Sequence, residues 1–353
     1  MKRIIFLFIL PLIHFISLSQ QDINQLMEEG VAYHDKGDYE EAISKYDQVL
    51  KLDKNNLLAL AEKAFTLMSL QEYKKAIKLC KKAIKNHPGH KDLKTVYVTY
   101  GNACDALGKP AQSIKVYDEG IEAFPDFYLL HFNKGITLVG QKELSKAFLC
   151  FQQSARLNPR HASSHNALAR MLDMKNKKTP AILAYSRFLV VEPQSARARE
   201  NIRFLQEILN GNTEQKEDNT ISISLDASGL GDTTADGRPK ENSFRTTDMI
   251  LALTAALDYS DENKDQTDVE KFIRKFEVMC SSIKEVKEKN HGFYWDYYVP
   301  YFVEMKDNDL IETFAYIAFA TSDESYVEAW LSAHQDEIDA FYQWSAAYPW
   351  PEE

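Results

Sequence analysis

One small residue recurs through the first half of this chain at a nearly fixed interval, and that interval constrains the fold more than any other feature. Gly30, Ala64, Gly101, Gly135 and Ala169 follow one another at steps of 34 residues, with one three-residue insertion before Gly101. Twelve residues beyond each stands a second small residue: Ala42, Ala76, Ser113, Ala147 and Ala181. Four further on comes a bulky or soft apolar one: Tyr46, Cys80, Tyr117, Phe151 and Tyr185. The segments close on Pro88, Pro125, Pro159 and Pro193, with Lys54 in the first copy. Self-similarity at such a period is the signature of a solenoid, in which each unit buries its apolar face against the next.

The residue types follow from the packing this requires. Small residues let two antiparallel helices approach closely, and the aromatic on the second helix is expected to fill the gap between a repeat and its successor. Proline ends the second helix, because it has no N–H to donate and disfavours helix at the residue before it. Gly37 and Gly108 fall in turns, where a left-handed residue costs glycine little. Asp38-Tyr39-Glu40-Glu41-Ala42-Ile43 and Glu72-Tyr73-Lys74-Lys75-Ala76-Ile77 resemble the second-helix opening of tetratricopeptide (TPR) repeats. The resemblance covers 23–195 as five copies (23–56, 57–90, 94–127, 128–161 and 162–195) and implies an all-α TPR solenoid. It departs from the pattern in having Leu26, Leu60, Tyr97, His131 and His165 where a first-helix Trp is usual.

Residues 196–210 read as a capping helix, with Ile202, Leu205, Ile208 and Leu209 inward and Arg197, Arg199, Glu200 and Glu207 outward. From 211 to 247 Gly, Asp, Ser and Thr dominate, as in a linker; Ile221, Ile223 and Leu225 alternate with serines and also fit a short strand. Asp226, Asp232 and Asp236 lack the spacing and terminal Glu of a calcium loop. Residues 248–353 read as a smaller, acidic, aromatic-rich helical domain. Thr267 and Glu270 form a capping box there, Pro300 is placed to kink an aromatic helix over 294–305, and all four tryptophans lie in this part. Phe272-Ile273-Arg274-Lys275-Phe276-Glu277, Gly292-Phe293-Tyr294-Trp295 and Glu312-Thr313-Phe314-Ala315-Tyr316 resemble strings in a group of exported bacterial TPR proteins, which implies export and architecture but no activity.

Lys2 and Arg3, the apolar run to Phe15 and Ser17-Leu18-Ser19 predict a signal peptide over 1–19. The chain is therefore expected to be exported, to the periplasm, the cell envelope or the medium, with no transmembrane segment once matured. The net charge of −10 is uneven: the stretch from Thr246 onward holds 23 acidic and 8 basic residues. That balance argues against nucleic acid, which needs clustered Lys and Arg. The four cysteines are expected as free thiols.

No phosphate-cradling glycine loop, zinc helix or nucleophile elbow appears, so no enzyme activity, metal or cofactor is expected. His131, His161 and His165 make a metal site across two repeats conceivable, but no carboxylate completes the shell, and packing is the expected role. Glu304, Asp307, Asp309 and Glu312 read as a solvated helix junction. The TPR resemblance implies instead a partner-binding groove lined by first helices, here Phe65, Met68, Asn102, Asp105, Phe132, Asn133, Ile136, Asn166, Arg170 and Asp173. The partner would be a protein or peptide segment. Met27, Val31, Ala61 and Glu62 stand where chaperone-binding TPRs begin a Lys/Arg clamp for a terminal carboxylate, so that ligand is not expected. The alternative is a structural protein whose groove is covered by its own linker or C-terminal domain. Oligomeric state is left open.

Overall fold

The computed structural model describes residues 9–211, 213–215, 220–223, 234 and 239–351. Eleven helices come first: α1 (Ile9–Lys36), α2 (Tyr39–Leu52), α3 (Leu57–Ser69), α4 (Tyr73–Asn86), α5 (Leu93–Ala106), α6 (Pro110–Ala123), α7 (Tyr128–Gly140), α8 (Leu144–Leu157), α9 (Ala162–Asp173), α10 (Lys178–Val191) and α11 (Ala196–Asn210). The second helices α4, α6, α8 and α10 each stop two residues before the proline of their repeat, and α2 stops two before Lys54. The expected signal peptide falls on 1–19; residues 1–8 lie outside the described residues and 9–19 are described only as helical backbone. Among the described residues no helix is long and apolar enough to cross a membrane.

Each repeat turns from its first to its second helix through one left-handed residue at the same register position: Gly37, Gln71, Gly108, Lys142 and Asn176, with φ of 86°, 59°, 69°, 60° and 52°. The following N–H reaches back five residues in all five copies, Asp38 to Tyr33, Glu72 to Leu67, Lys109 to Cys104, Glu143 to Leu138 and Lys177 to Leu172. This closes the helix end with its orphan carbonyls satisfied. Only two of the five positions carry glycine.

The chain divides into two compact units, 1–150 and 151–353, with the division inside α8. It does not coincide with the expected boundary at the linker: repeat five and the capping helix share a unit with the C-terminal helices. In the first unit the core runs through Leu60, Ala64, Cys80, Val96, Tyr100 and Cys104. Tyr46 and Tyr117 pack on the small residue of their own repeat and also reach the next one, Tyr46 in a buried cluster with Ala59 and Tyr117 beside Thr137. A Cβ on Gly30 would lie 2.5 Å from Tyr46 Cε1, and one on Gly101 would lie 2.2 Å from Tyr117 Cε1. Glycine is thus required by the ring that faces it.

The second unit continues after α11 with a two-stranded antiparallel hairpin, β1 (Thr213–Gln215) and β2 (Ile221–Ile223), pairing Thr213 with Ile223. The linker expected over 211–247 therefore contains paired strands. The calcium-loop residues Asp226, Asp232 and Asp236 lie outside the described residues, as does Leu225. Seven helices follow: α12 (Arg245–Ala256), α13 (Asp268–Val286), α14 (Phe293–Tyr297), α15 (Val299–Asp307), α16 (Ile311–Ala318), α17 (Ser325–Ala333) and α18 (Gln335–Ala347). The capping box at Thr267 and Glu270 opens α13. Pro300 does not kink a continuous helix; it sits in the first turn of α15, where its missing N–H is no loss.

At the centre of this unit lies α10, whose residues Thr179 to Val190 are all buried. Its sequence is apolar on every side, which suits a helix surrounded by protein. It packs against α9, α11, α12 and α16. Asp248, in the first turn of α12, caps α10 from outside, its Oδ1 accepting from Thr179 N at 3.0 Å and Thr179 Oγ1 at 2.5 Å. Arg187 is 2% exposed. It donates to Pro159 O at 3.0 Å, Tyr301 Oη at 3.2 Å and Ser345 Oγ at 3.0 Å, and lies over the rings of Tyr301 and Trp350. Phe272, Phe276, Phe302, Phe314 and Phe341 form the adjoining aromatic core. Trp295 is buried, stacked on Phe244 and donating to Ser243 O at 3.0 Å.

Candidate functional site

In the first unit the first helices α1, α3, α5 and α7 lie side by side, so residues at one register position form a row across them. Two rows present side chains outward. One holds Val31, Phe65, Asn102 and Ile136; the other, three residues on, holds His34, Met68, Asp105 and Val139. Val31 is 39% exposed, Phe65 51%, Ile136 46% and Val139 38%, large apolar side chains that no neighbour covers fully. The four apolar residues of the expected groove in this unit are thus placed differently: Phe65 and Ile136 are exposed, whereas Met68 is half-buried against the core. Phe132 is half-buried. Val31, His34 and Val139 belong to the same rows and were missed, although stepping each chosen position by one repeat would have found them.

The polar members are held in place. The His34 ring packs on Phe65 at 5.1 Å between centroids, and its Nδ1 meets Thr66 Oγ1 at 2.8 Å. Beside them burial pushes the Glu62 carboxyl above the usual range, with His34 acting in the other direction. Asn102 Oδ1 accepts from Tyr117 Oη at 2.6 Å, a bond that fixes the amide while using none of its donors. Asn133 Nδ2 donates to Leu129 O of its own helix at 2.8 Å. Asp105 is half-buried beside them.

In the second unit the expected groove residues of α9 meet α10 and α11. Asn166 Oδ1 accepts from Asn201 Nδ2 at 2.9 Å. Arg170 pairs with Glu200 at 3.2 Å and lies 5.1 Å from the centroid of the Phe204 ring. Asp173 accepts from Tyr185 Oη at 3.4 Å, and burial raises its carboxyl. Asn166 and Arg170 thus seat the chain's own capping helix, whereas Asp173 is held by Tyr185 of α10, and Glu200, expected to look outward, is partnered.

The candidate chemical groups are also placed. His165 is fully buried, with Nδ1 2.7 Å from Tyr298 Oη and Nε2 3.0 Å from Pro159 O, so both ring nitrogens are used within the protein. Burial first, and the nearby Arg187 second, lower its pKa to about 3. His161 Nδ1 meets Ser164 Oγ at 2.8 Å and His131 Nε2 meets Pro125 O at 2.9 Å. Glu304 accepts from Trp344 Nε1 and Asp307 pairs with Lys284, as at a helix junction. A polar cavity of about 780 Å³ opens between α11, α12 and α13. Its ionic groups answer one another: Asp258 pairs with Arg274 and Lys275, Lys275 also donates to Asn210, and Asp261 pairs with Lys264. Burial holds the Lys275 ammonium below its ordinary range. The four cysteines are free thiols.

Two family models, each described as tetratricopeptide repeat, match residues 33–97 and 95–127. Among curated proteins the chain is 28% identical over 200 residues to an Hsp70-Hsp90 organizing protein of Triticum aestivum, covering 56% of this chain and 34% of that one. It is 32% identical over 125 residues to a small glutamine-rich tetratricopeptide repeat-containing protein of Dictyostelium discoideum, covering 35% of this chain and 32% of that one. The chain thus spans about a third of the length of these relatives. Among solved structures it is similar to Pseudomonas aeruginosa PilF, with 19% identity and a TM-score of 0.44 over 54% of this chain and 90% of that one. With five helix pairs in register, left-handed turns at one repeated position and these matches over the first copies, the chain is a helical tetratricopeptide-repeat protein.

Proposed function

We propose that the protein is a non-enzymatic scaffold that grips a segment of another protein on the first-helix face of its first unit. TPR proteins mediate protein–protein interaction, and one observation carries the reading here. Val31, Phe65, Ile136 and Val139 are exposed at two equivalent register positions, with Asn102 and Asp105 between them. Exposed apolar side chains in a row mark a binding surface more often than a solvated one. Asn102 keeps its donors for a carbonyl of an extended segment, and the apolar residues on either side seat two of its side chains.

A specific observation favours self-coverage for the second unit, where Asn166 and Arg170 hold α11. The partner face is therefore read as belonging to the first four repeats. The Lys/Arg clamp is not carried over from the chaperone-organizing relatives, because Met27, Val31, Ala61 and Glu62 replace its start. Export to the cell envelope rests on the basic start and apolar run of 1–19.

The test is crosslinking pull-down from native envelope fractions with wild type, Phe65→Ser/Ile136→Ser and Asn166→Ala/Arg170→Ala. The first variant is expected to lose partners and the second to keep them. Equal recovery by wild type and Phe65→Ser/Ile136→Ser would sink the assignment. Export is checked by sequencing the N-terminus of the envelope protein, expected at Gln20.

A further inference from the structure

We propose that the lysine face of α4 docks on the acidic C-terminal helices of a second copy of this chain, joining copies head to tail. This surface lies on a second helix and is distinct from the first-helix face argued above. Helix α4 reads Tyr-Lys-Lys-Ala-Ile-Lys-Leu-Cys-Lys-Lys-Ala-Ile-Lys-Asn and carries Lys74, Lys75, Lys78, Lys81, Lys82 and Lys85 with no acidic residue. At 3.6 residues per turn the six fall on an arc of about 120°, along about 16 Å of helix. Ala76, Cys80 and Ala83 take the buried side. All but Lys82 of the six are exposed. Among the described residues only Lys75 has a carboxylate partner, Glu72 at 2.5 Å. Lys82 donates to Lys54 O, and Lys81 lies over the Tyr100 ring. Neighbouring second helices differ: Lys45 on α2 and Lys115 on α6 each have a carboxylate partner.

The matching surface is in the same sequence. Lys306 is the last basic residue, and the 47 residues after it hold 11 acidic ones. On α16, α17 and α18 and the turns before α17, Glu312, Glu324, Glu328, Asp336, Glu337 and Asp339 are exposed. The first unit holds 20 basic and 18 acidic residues, the second 22 and 34. Stripe against stripe repels, and so does acid against acid. Only stripe against acidic face attracts, and a contact between two different patches joins copies head to tail, into a ring where the rotation closes and an open chain where it does not. The stripe is all lysine, which suits a spread of single charges better than bidentate recognition of one anion.

The test is sedimentation velocity on the full chain across protein concentrations, in about 0.01 M and about 0.15 M salt, where the screening length is about 30 and about 8 Å. Wild type is expected to associate with rising concentration at low salt, and the association constant to fall at least ~10-fold at the higher salt. Lys78→Glu/Lys81→Glu/Lys85→Glu and Glu328→Lys/Asp336→Lys/Glu337→Lys should each stay monomeric alone, with wild-type circular dichroism. Their equimolar mixture should associate again, because one variant keeps an acidic face and the other keeps the lysine stripe. The proposal is overturned if wild type is monomeric at low salt, if the lysine variant associates like wild type, or if the mixture of folded variants does not associate. A monomeric wild type that sediments with phosphatidylglycerol vesicles would assign the stripe to a membrane instead and equally overturn it.

Discussion

Lowering the pH should loosen the second unit through one histidine. His165 on α9 is 0% exposed, accepts from the Tyr298 hydroxyl and donates to the Pro159 carbonyl, and burial together with Arg187 brings its pKa to about 3. In the unfolded chain it titrates near its ordinary value of 6.5. The folded pKa is depressed, so below 6.5 the unfolded state binds a proton that the folded state refuses, and stability falls as pH falls. The loss is about 1.4 kcal/mol per pH unit, so about 2 kcal/mol between pH 7 and pH 5 and about 3 kcal/mol by pH 4. The pH 5 figure does not depend on the exact folded pKa, because any value below about 4 gives nearly the same result. His165→Gln supplies the control, since its amide can accept from Tyr298 and donate to Pro159 O without titrating. All four tryptophans lie in the second unit, so urea unfolding followed by tryptophan fluorescence reports on it alone. Other titrating groups are common to both proteins and cancel in the difference. Wild type should lose about 2 kcal/mol more than His165→Gln between pH 7 and pH 5. Equal losses would refute the buried neutral imidazole.

Three further perturbations have signs fixed by the geometry. Lys142 and Gln71 hold the left-handed turn that Gly37 and Gly108 hold in other copies; Lys142→Gly should stabilise the first unit by about 1 kcal/mol and raise its melting temperature, and no gain would mean the turn is unstrained. Gly101→Ala forces a Cβ into Tyr117 and should cost about 1–3 kcal/mol in chemical denaturation, with unchanged stability contradicting the close approach. Asp248→Ala removes both capping bonds at Thr179 and should lower second-unit stability by about 2 kcal/mol; an unaltered urea midpoint would show that α10 does not need its external cap.

The solenoid was legible because its contacts are local. A 34-residue step repeats the small residues, the closing prolines and the turn position, and each copy confirms the last. The same step made part of the candidate site legible. The step gives more than the face carried over from the TPR resemblance: Val31, His34 and Val139 occupy the rows of Phe65 and Met68. The role of the second-helix aromatics was half legible: the period places Tyr46 toward the next repeat, but its close approach to Gly30 of its own repeat depends on how the two helices cross, which spacing does not give. The polar face of α11 misled for another reason. Glu200 meets Arg170, and Arg199 meets Asp323, 124 residues away. Ion pairs at such separations leave no periodic trace.

The sequence of α10 carries one further signal of the second unit. Helix α4 alternates apolar residues with lysines that face water, as a solenoid's second helix must when one side is solvent. The corresponding helix α10 reads Lys-Thr-Pro-Ala-Ile-Leu-Ala-Tyr-Ser-Arg-Phe-Leu-Val-Val and has no such side. A second helix without a water-facing stripe requires a cover, and α12 and α16 provide it. Arg187, the one charge within its buried stretch, then needs partners from the same unit, and finds them in Tyr301 of α15 and Ser345 of α18. The loss of the polar stripe therefore marks where the solenoid stops being one-dimensional. Repeat five is at once the last repeat and the first core element of the domain that follows, which is why a linker after it does not separate the two.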